Sequence, residues 1–202
     1  MKKKKESQRG RLLATCLVLF SLIGMAGFLI RFGQKPLVAE EVEKAVGIPL
    51  VVDLLEDTGK RPHIKRKIKQ IVVHNTANPK STARNERDFL SNPTNTSSTS
   101  WHIAVDDQEM VQAIPVTEVA FHAGKKEGNY FGIGIEICES GDYKKAEQNA
   151  QKLIAYLMKT YHLKIEDIKT HQAFTGKECP RLILEHWDDF LEGVKEQYKV
   201  IK

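Results

Sequence analysis

One carboxylate in the middle of an apolar strand constrains this chain more tightly than any other feature. In "YFGIGIEICES", residues 130–140, Ile133, Ile135 and Ile137 alternate with Gly134, Glu136 and Cys138. Alternation with period two reads as a strand, isoleucines on one face and the smaller residues on the other. A charge in such a strand is costly unless it is paired or used. Two glycines and a cysteine around Glu136 leave room for something to approach it. Glu136 therefore either meets a buried partner or faces a ligand.

The other elements surround that strand in a pattern of mixed strands and helices. "IKQIVVHN" is a second apolar strand, ending on His74 and Asn75. "SWHIAVDD" alternates Trp101, Ile103 and Val105 against His102, Ala104 and Asp106, and "EMVQAIP" reads as its hairpin partner across a "DDQE" turn. "ARNERDFL" is a short helix in a stretch rich in Asn, Ser, Thr and Pro, and "FHAGKKEGN" reads as a glycine-bearing loop. From Lys144 to Tyr161 an apolar stripe of Ala146, Ala150, Leu153, Ile154, Leu157 and Tyr161 predicts a helix. A last helix follows Pro180, with Trp187 on its apolar side. This is an α/β sheet domain, without an internal repeat or a second folded domain.

The basic excess of the chain lies in its first residues. Net charge is +5, but "MKKKKESQRGR" alone carries six Lys/Arg against one Glu, so the remainder is balanced and gives no reason to expect nucleic acid. Leu12 to Ile30 follow without a charge. At about 1.5 Å per residue such a helix spans roughly 28 Å, near the hydrocarbon thickness of a bilayer. The basic cluster before it predicts the N-terminus inside and everything downstream outside. A cleaved signal peptide is the competing reading, but the apolar stretch is long for one and the best small-residue site, "LVA" ending at Ala39, lies well beyond it. The expected organisation is a cytoplasmic tail over 1–11, an anchor over 12–30, a stalk over 31–47 and one domain over 48–202. Outside the anchor there are only Cys138 and Cys179, so no disulfide framework is expected, and Cys138 reads as a small buried apolar side chain.

"KTHQAFTGKECPR" places His171, Lys177 and Cys179 within nine residues. Catalytic zinc sites take three ligands from His, Cys and carboxylates and leave a fourth position for water. His171 and Cys179 can supply two ligands from one loop, and His74, at the end of a buried strand, can supply a third. The spacing alone is weak evidence, and a surface turn bearing three unrelated residues remains the alternative.

"VVHNTAN", "SWHIAVDD", "FHAG", "GIGIEIC" and "HQAFTGKECPR", in this order, resemble the zinc-dependent N-acetylmuramoyl-L-alanine amidases, a family related to phage T7 lysozyme and the peptidoglycan recognition proteins. The resemblance covers about residues 48–195. It implies a single domain with a central mixed β-sheet flanked by helices, and Zn2+ held by His74, His171 and Cys179. It further implies Glu136 as the group that moves protons on the attacking water, and Lys177 as the cation beside the oxyanion. Asn75, Trp101, His102 and His122 are expected to line the substrate groove. Trp101 departs from the tyrosine of the phage lysozyme branch, so no phenol acts there. The function implied is hydrolysis, by a monomer, of the amide between N-acetylmuramic acid and L-alanine in peptidoglycan, the alternative being a muropeptide-binding module that does not cut.

Overall fold

A computed structural model describes residues 34–56 and 59–201. The elements are helix α1 (Ala39–Val46), strand β1 (Leu50–Val52), β2 (Gln70–Asn75), α2 (Ala83–Ser91), β3 (Ile103–Val105) and β4 (Met110–Gln112). They continue with α3 (Lys126–Phe131), β5 (Gly132–Ile137), α4 (Tyr143–Tyr161), β6 (Ile168–Thr170), α5 (Gln172–Thr175) and α6 (Trp187–Val200). The strands form one six-stranded sheet in the order β1-β4-β3-β5-β2-β6. Every neighbouring pair is parallel except the β3–β4 hairpin, so the sheet is mixed, as expected.

Alternation along β5 divides the interior. Ile133, Ile135 and Ile137, with Val73, Ile103 and Val105, pack against the buried stripe of α4 and against Phe190 and Val194 of α6. The opposite face holds a second core of Trp101, Ala104, Val111, Ile114 and Cys138 under Ala83 and Leu90 of α2. In the parallel register His74 pairs with Glu136. Both therefore lie on this second face, at the carboxyl ends of adjacent strands, where open α/β sheets place their ligands.

Three elements depart from the sequence reading. Trp101 packs with Ala104 instead of Ile103 and Val105, because the chain leaves the ladder before Ile103. The loop read over 121–129 runs into helix α3, which takes in Tyr130 and Phe131. Gly128, which signals a loop in sequence, lies in that helix, at a position where a Cβ would stand 2.3 Å from Ala123 Cβ. The third departure is the stalk. Its helix α1 buries Val42 and Val46 in the main core, and Glu43 Oε1 accepts the Leu50 N–H at 3.0 Å. The folded unit therefore begins at Pro36, not Ile48. No helix among the described residues is long and apolar enough to cross a membrane, and Leu12–Ile30 lies outside them.

The place of α1 gives a stability prediction. Burying a valine contributes about 1.5–3 kcal/mol. A chain starting at Ile48 is expected to unfold at a clearly lower urea concentration than one starting at Pro36. Equal midpoints would show that α1 adds nothing.

Candidate metal centre

Three separate segments deliver the donor atoms. His74 ends β2, His171 follows β6, and Cys179 returns on the loop after α5. His171 N–H donates to the Val73 carbonyl at 3.3 Å, so the β6 end is tied to the strand that carries His74. The single turn of α5 then closes, with Gly176 at φ 76°, a left-handed conformation that favours glycine. Gln172 N–H donates to the Cys179 carbonyl at 2.9 Å, which pulls the thiol back under the histidines. The spacing of eight residues between His171 and Cys179 is thus one helical turn, one glycine and a return.

His74 Nδ1 lies 3.2 Å from His171 Nδ1 and 3.7 Å from Cys179 Sγ. All three ligand atoms lie within 4.8 Å of one another and all three residues are buried. A tetrahedral ion with bonds of about 2.0–2.1 Å to nitrogen and 2.3 Å to sulfur needs roughly 3.3 Å between nitrogens and 3.6 Å between nitrogen and sulfur. The two distances from His74 match those values, and two imidazoles with one thiol are donors that such an ion takes. Burial holds His74 and His171 below the usual histidine pKa, with the Lys177 charge acting in the same direction, so both rings are neutral and able to ligate. Burial also pushes the Cys179 thiol up to about 11, against the Asn75 backbone N–H and Lys177. A bound cation reverses that balance, because a coordinating thiol is deprotonated.

Glu136 stands beside the cluster, its Oε1 3.9 Å from His74 Nδ1 and 9% of the residue exposed. Burial raises its pKa well above the carboxylate range. Glu86 adds to this and Lys177 opposes it. Lys177 is itself exposed, and its charge acts on His74, His171, Cys179 and Glu136 together. The five residues expected to do the chemistry are therefore brought together.

The four expected groove residues are all buried. Asn75 is buried and works as a clamp: its Oδ1 accepts the Leu182 N–H at 3.0 Å and its Nδ2 donates to Tyr143 Oη at 3.0 Å. It fastens the segment after Cys179 to the end of β2. Trp101 belongs to the second core. His102 is fully buried, its Nδ1 accepting the Gly134 N–H at 2.8 Å and its Nε2 meeting the Glu118 carbonyl at 2.9 Å. His122 is buried behind His74. The ring nitrogens of the two histidines meet protein groups, whereas Trp101 Nε1 is buried with no hydrogen-bond partner among the described residues.

Two acids at the site carry no sequence signal. Glu86 is buried on α2 and hydrogen-bonded to Ser81, yet it sits in the charged run "RNER" that reads as a solvated face. Glu139 accepts the Ala77 N–H at 3.0 Å and Arg181 Nε at 2.9 Å. It joins the turn after His74 to the segment after Cys179.

A sequence profile of the N-acetylmuramoyl-L-alanine amidases matches residues 64–182, which include the whole donor set and Glu136. The chain belongs to this family. Among curated amidases, CwlH of Bacillus subtilis is 46% identical over 131 residues, which are 61% of this chain and 52% of that protein. XlyA of the same organism is 45% identical over 130 residues, covering 61% of this chain and 43% of XlyA. The chain thus spans about half the length of the curated amidases it matches. The structure of the catalytic domain of XlyA superposes with a TM-score of 0.69 at 39% identity, covering 73% of this chain and 99% of that domain. What the amidase match shares with this chain is the sheet domain that carries the cluster.

Proposed function

We propose that this protein is a zinc-dependent peptidoglycan hydrolase that cuts the amide between N-acetylmuramic acid and the L-alanine of the stem peptide. The observation that carries the reading is the complete donor set of His74, His171 and Cys179 with a buried carboxylate 3.9 Å from one of its ligand atoms. When bound there, zinc supplies Lewis-acid activation of an amide carbonyl and of water. Glu136 takes the proton from the attacking water and delivers it to the departing nitrogen of L-alanine, so the carboxylate is regenerated each cycle. Lys177, on the exposed loop, donates to the carbonyl oxygen as negative charge gathers on it. Asn75 and Glu139 hold the two ligand-bearing turns in place.

Zinc stoichiometry and the release of new N-terminal alanine from purified cell walls test the proposal together. One zinc per chain with alanine release abolished by a chelator is the expected result. Wall binding without alanine release would make the protein a recognition module. Lys177→Met is expected to lower kcat by roughly 10²-fold, since one oxyanion donor contributes about 3 kcal/mol. An unchanged kcat on muropeptides would remove Lys177 from the reaction.

We propose further that Leu12–Ile30 anchors the protein in the membrane with its N-terminus inside. In support, cleavage after Ala39 would cut at the first residue of α1. The substrate expected of an anchored enzyme is the wall layer nearest the membrane. The protein is expected to fractionate with membranes, resist extraction by high salt, and be digested by protease added outside wall-stripped cells. A mature protein in the medium starting at Glu40 would overturn the anchor.

A further inference from the structure

The reaction above gives no part to His122, although its ring is buried against a metal ligand. It stands edge-on to His74, ring centroids 5.2 Å apart and planes at 89°. His122 Nε2 lies 3.1 Å from the Gly132 carbonyl oxygen, and His122 Nδ1 lies 3.1 Å from His74 Nε2. A carbonyl can only accept, so the hydrogen of the neutral His122 ring is on Nε2 and its Nδ1 is bare. A bare Nδ1 accepts from His74 Nε2–H. The proton of His74 is then on Nε2, and the lone pair left on Nδ1 faces His171 Nδ1 and Cys179 Sγ. The hydrogen bonds of this pair therefore select the one tautomer of His74 that can ligate.

The neighbouring strand is shaped to hold this ring. A Cβ on Gly134 would lie 2.6, 2.7 and 2.9 Å from three atoms of the His122 imidazole. The space that the sequence suggested for an approach to Glu136 at Gly134 is thus taken by the His122 ring.

We propose that His122 is a positioning residue for the metal centre: it fixes the tautomer and orientation of His74 so that Nδ1 is presented to zinc. A hydrogen bond from the second nitrogen of a ligating histidine typically changes metal affinity by 10–100-fold. The proposal rests on the zinc reading, and the experiment separates the two. Long-range proton–nitrogen NMR spectra of the metal-free full-length protein are expected to show His74 and His122 both protonated at Nε2. A His74 protonated at Nδ1 would overturn the proposal, and this result does not depend on whether zinc binds or any variant folds. Zinc affinity by chelator competition and the visible spectrum of the cobalt form are then compared among variants. His122→Phe, with no acceptor, is expected to lose roughly 10–100-fold in zinc affinity, whereas His122→Asn, which places Oδ1 near the lost Nδ1, stays within about threefold of wild type. Gly134→Ala, which displaces the ring without changing a polar atom, is expected to weaken zinc in the same direction. Equal losses in the Asn and Phe variants would show a packing effect and overturn the proposal, as would a folded Phe variant with wild-type affinity. A wild-type chain that binds no zinc while His74 keeps its Nε2 proton would sink the zinc reading alone.

Discussion

Glu136→Gln is expected to leave the fold and the zinc content unchanged while lowering the rate of amide hydrolysis by roughly 10²–10⁴-fold, the usual contribution of a general base. Glutamine keeps the shape and two polar atoms of the side chain but cannot take a proton from water. Glu136 lies on β5 between Gly134 and Cys138, its Oε1 3.9 Å from His74 Nδ1. Burial already disfavours the ionised form, as its raised pKa records. Removing the charge therefore does not cost the fold stability, and the melting temperature is expected to hold or rise. Zinc per chain, melting temperature and alanine release from purified walls are the three readouts. A variant within about threefold of wild type, well under the usual contribution of a general base, would pass the proton to another group. Glu86, a buried acid whose charge acts on Glu136, is then the next position to test, as Glu86→Gln.

The grouping of His74, His171, Cys179 and Glu136 was legible in the sequence because each of these residues breaks a local pattern. Glu136 is a charge in an apolar strand, His74 closes a run of β-branched residues, and Cys179 returns across a glycine eight residues after His171. The sheet face was legible for the same reason, since Ile133, Ile135 and Ile137 alternate with Gly134, Glu136 and Cys138. The supports were not. Whether a histidine lines a groove or stands behind a ligand depends on what meets its ring nitrogens: for His102 these are the Gly134 N–H, the Glu118 carbonyl and Arg66, and for His122 the Gly132 carbonyl and the His74 ring. Such partners come from 10 to 48 residues away and leave no spacing signature. Glu86 and Glu139 were hidden among charges that look solvated. Helix α1 was read as a stalk because half of its octet is charged, Glu40, Glu41, Glu43 and Lys44, although Val42 and Val46 suffice for a docking stripe once α4 lies beside them.

Cys179→Ser is expected to strip most of the zinc and with it the hydrolysis, which separates the metal from the proton transfer that Glu136→Gln tests. The hydroxyl is a far poorer zinc ligand than a thiolate, and serine's shorter side-chain bond draws the donor away from a geometry in which Sγ stands 3.7 Å from His74 Nδ1. Cys179 is buried, and its thiol is held near 11 without a cation, so the thiolate forms there only when metal binds. Zinc and thiolate are thus linked, and the wild-type melting temperature is expected to rise with added zinc. The stabilisation reaches about 2.7 kcal/mol when free zinc is 100 times its Kd. In Cys179→Ser that rise is expected to vanish at the same zinc concentration, with the metal-free melting temperature close to that of the metal-free wild type. The two measurements together distinguish a lost ligand from a damaged fold, since a damaged fold lowers the metal-free melting temperature as well. Full zinc occupancy with an intact zinc-dependent rise would remove Cys179 from the site and leave only two of the three donors.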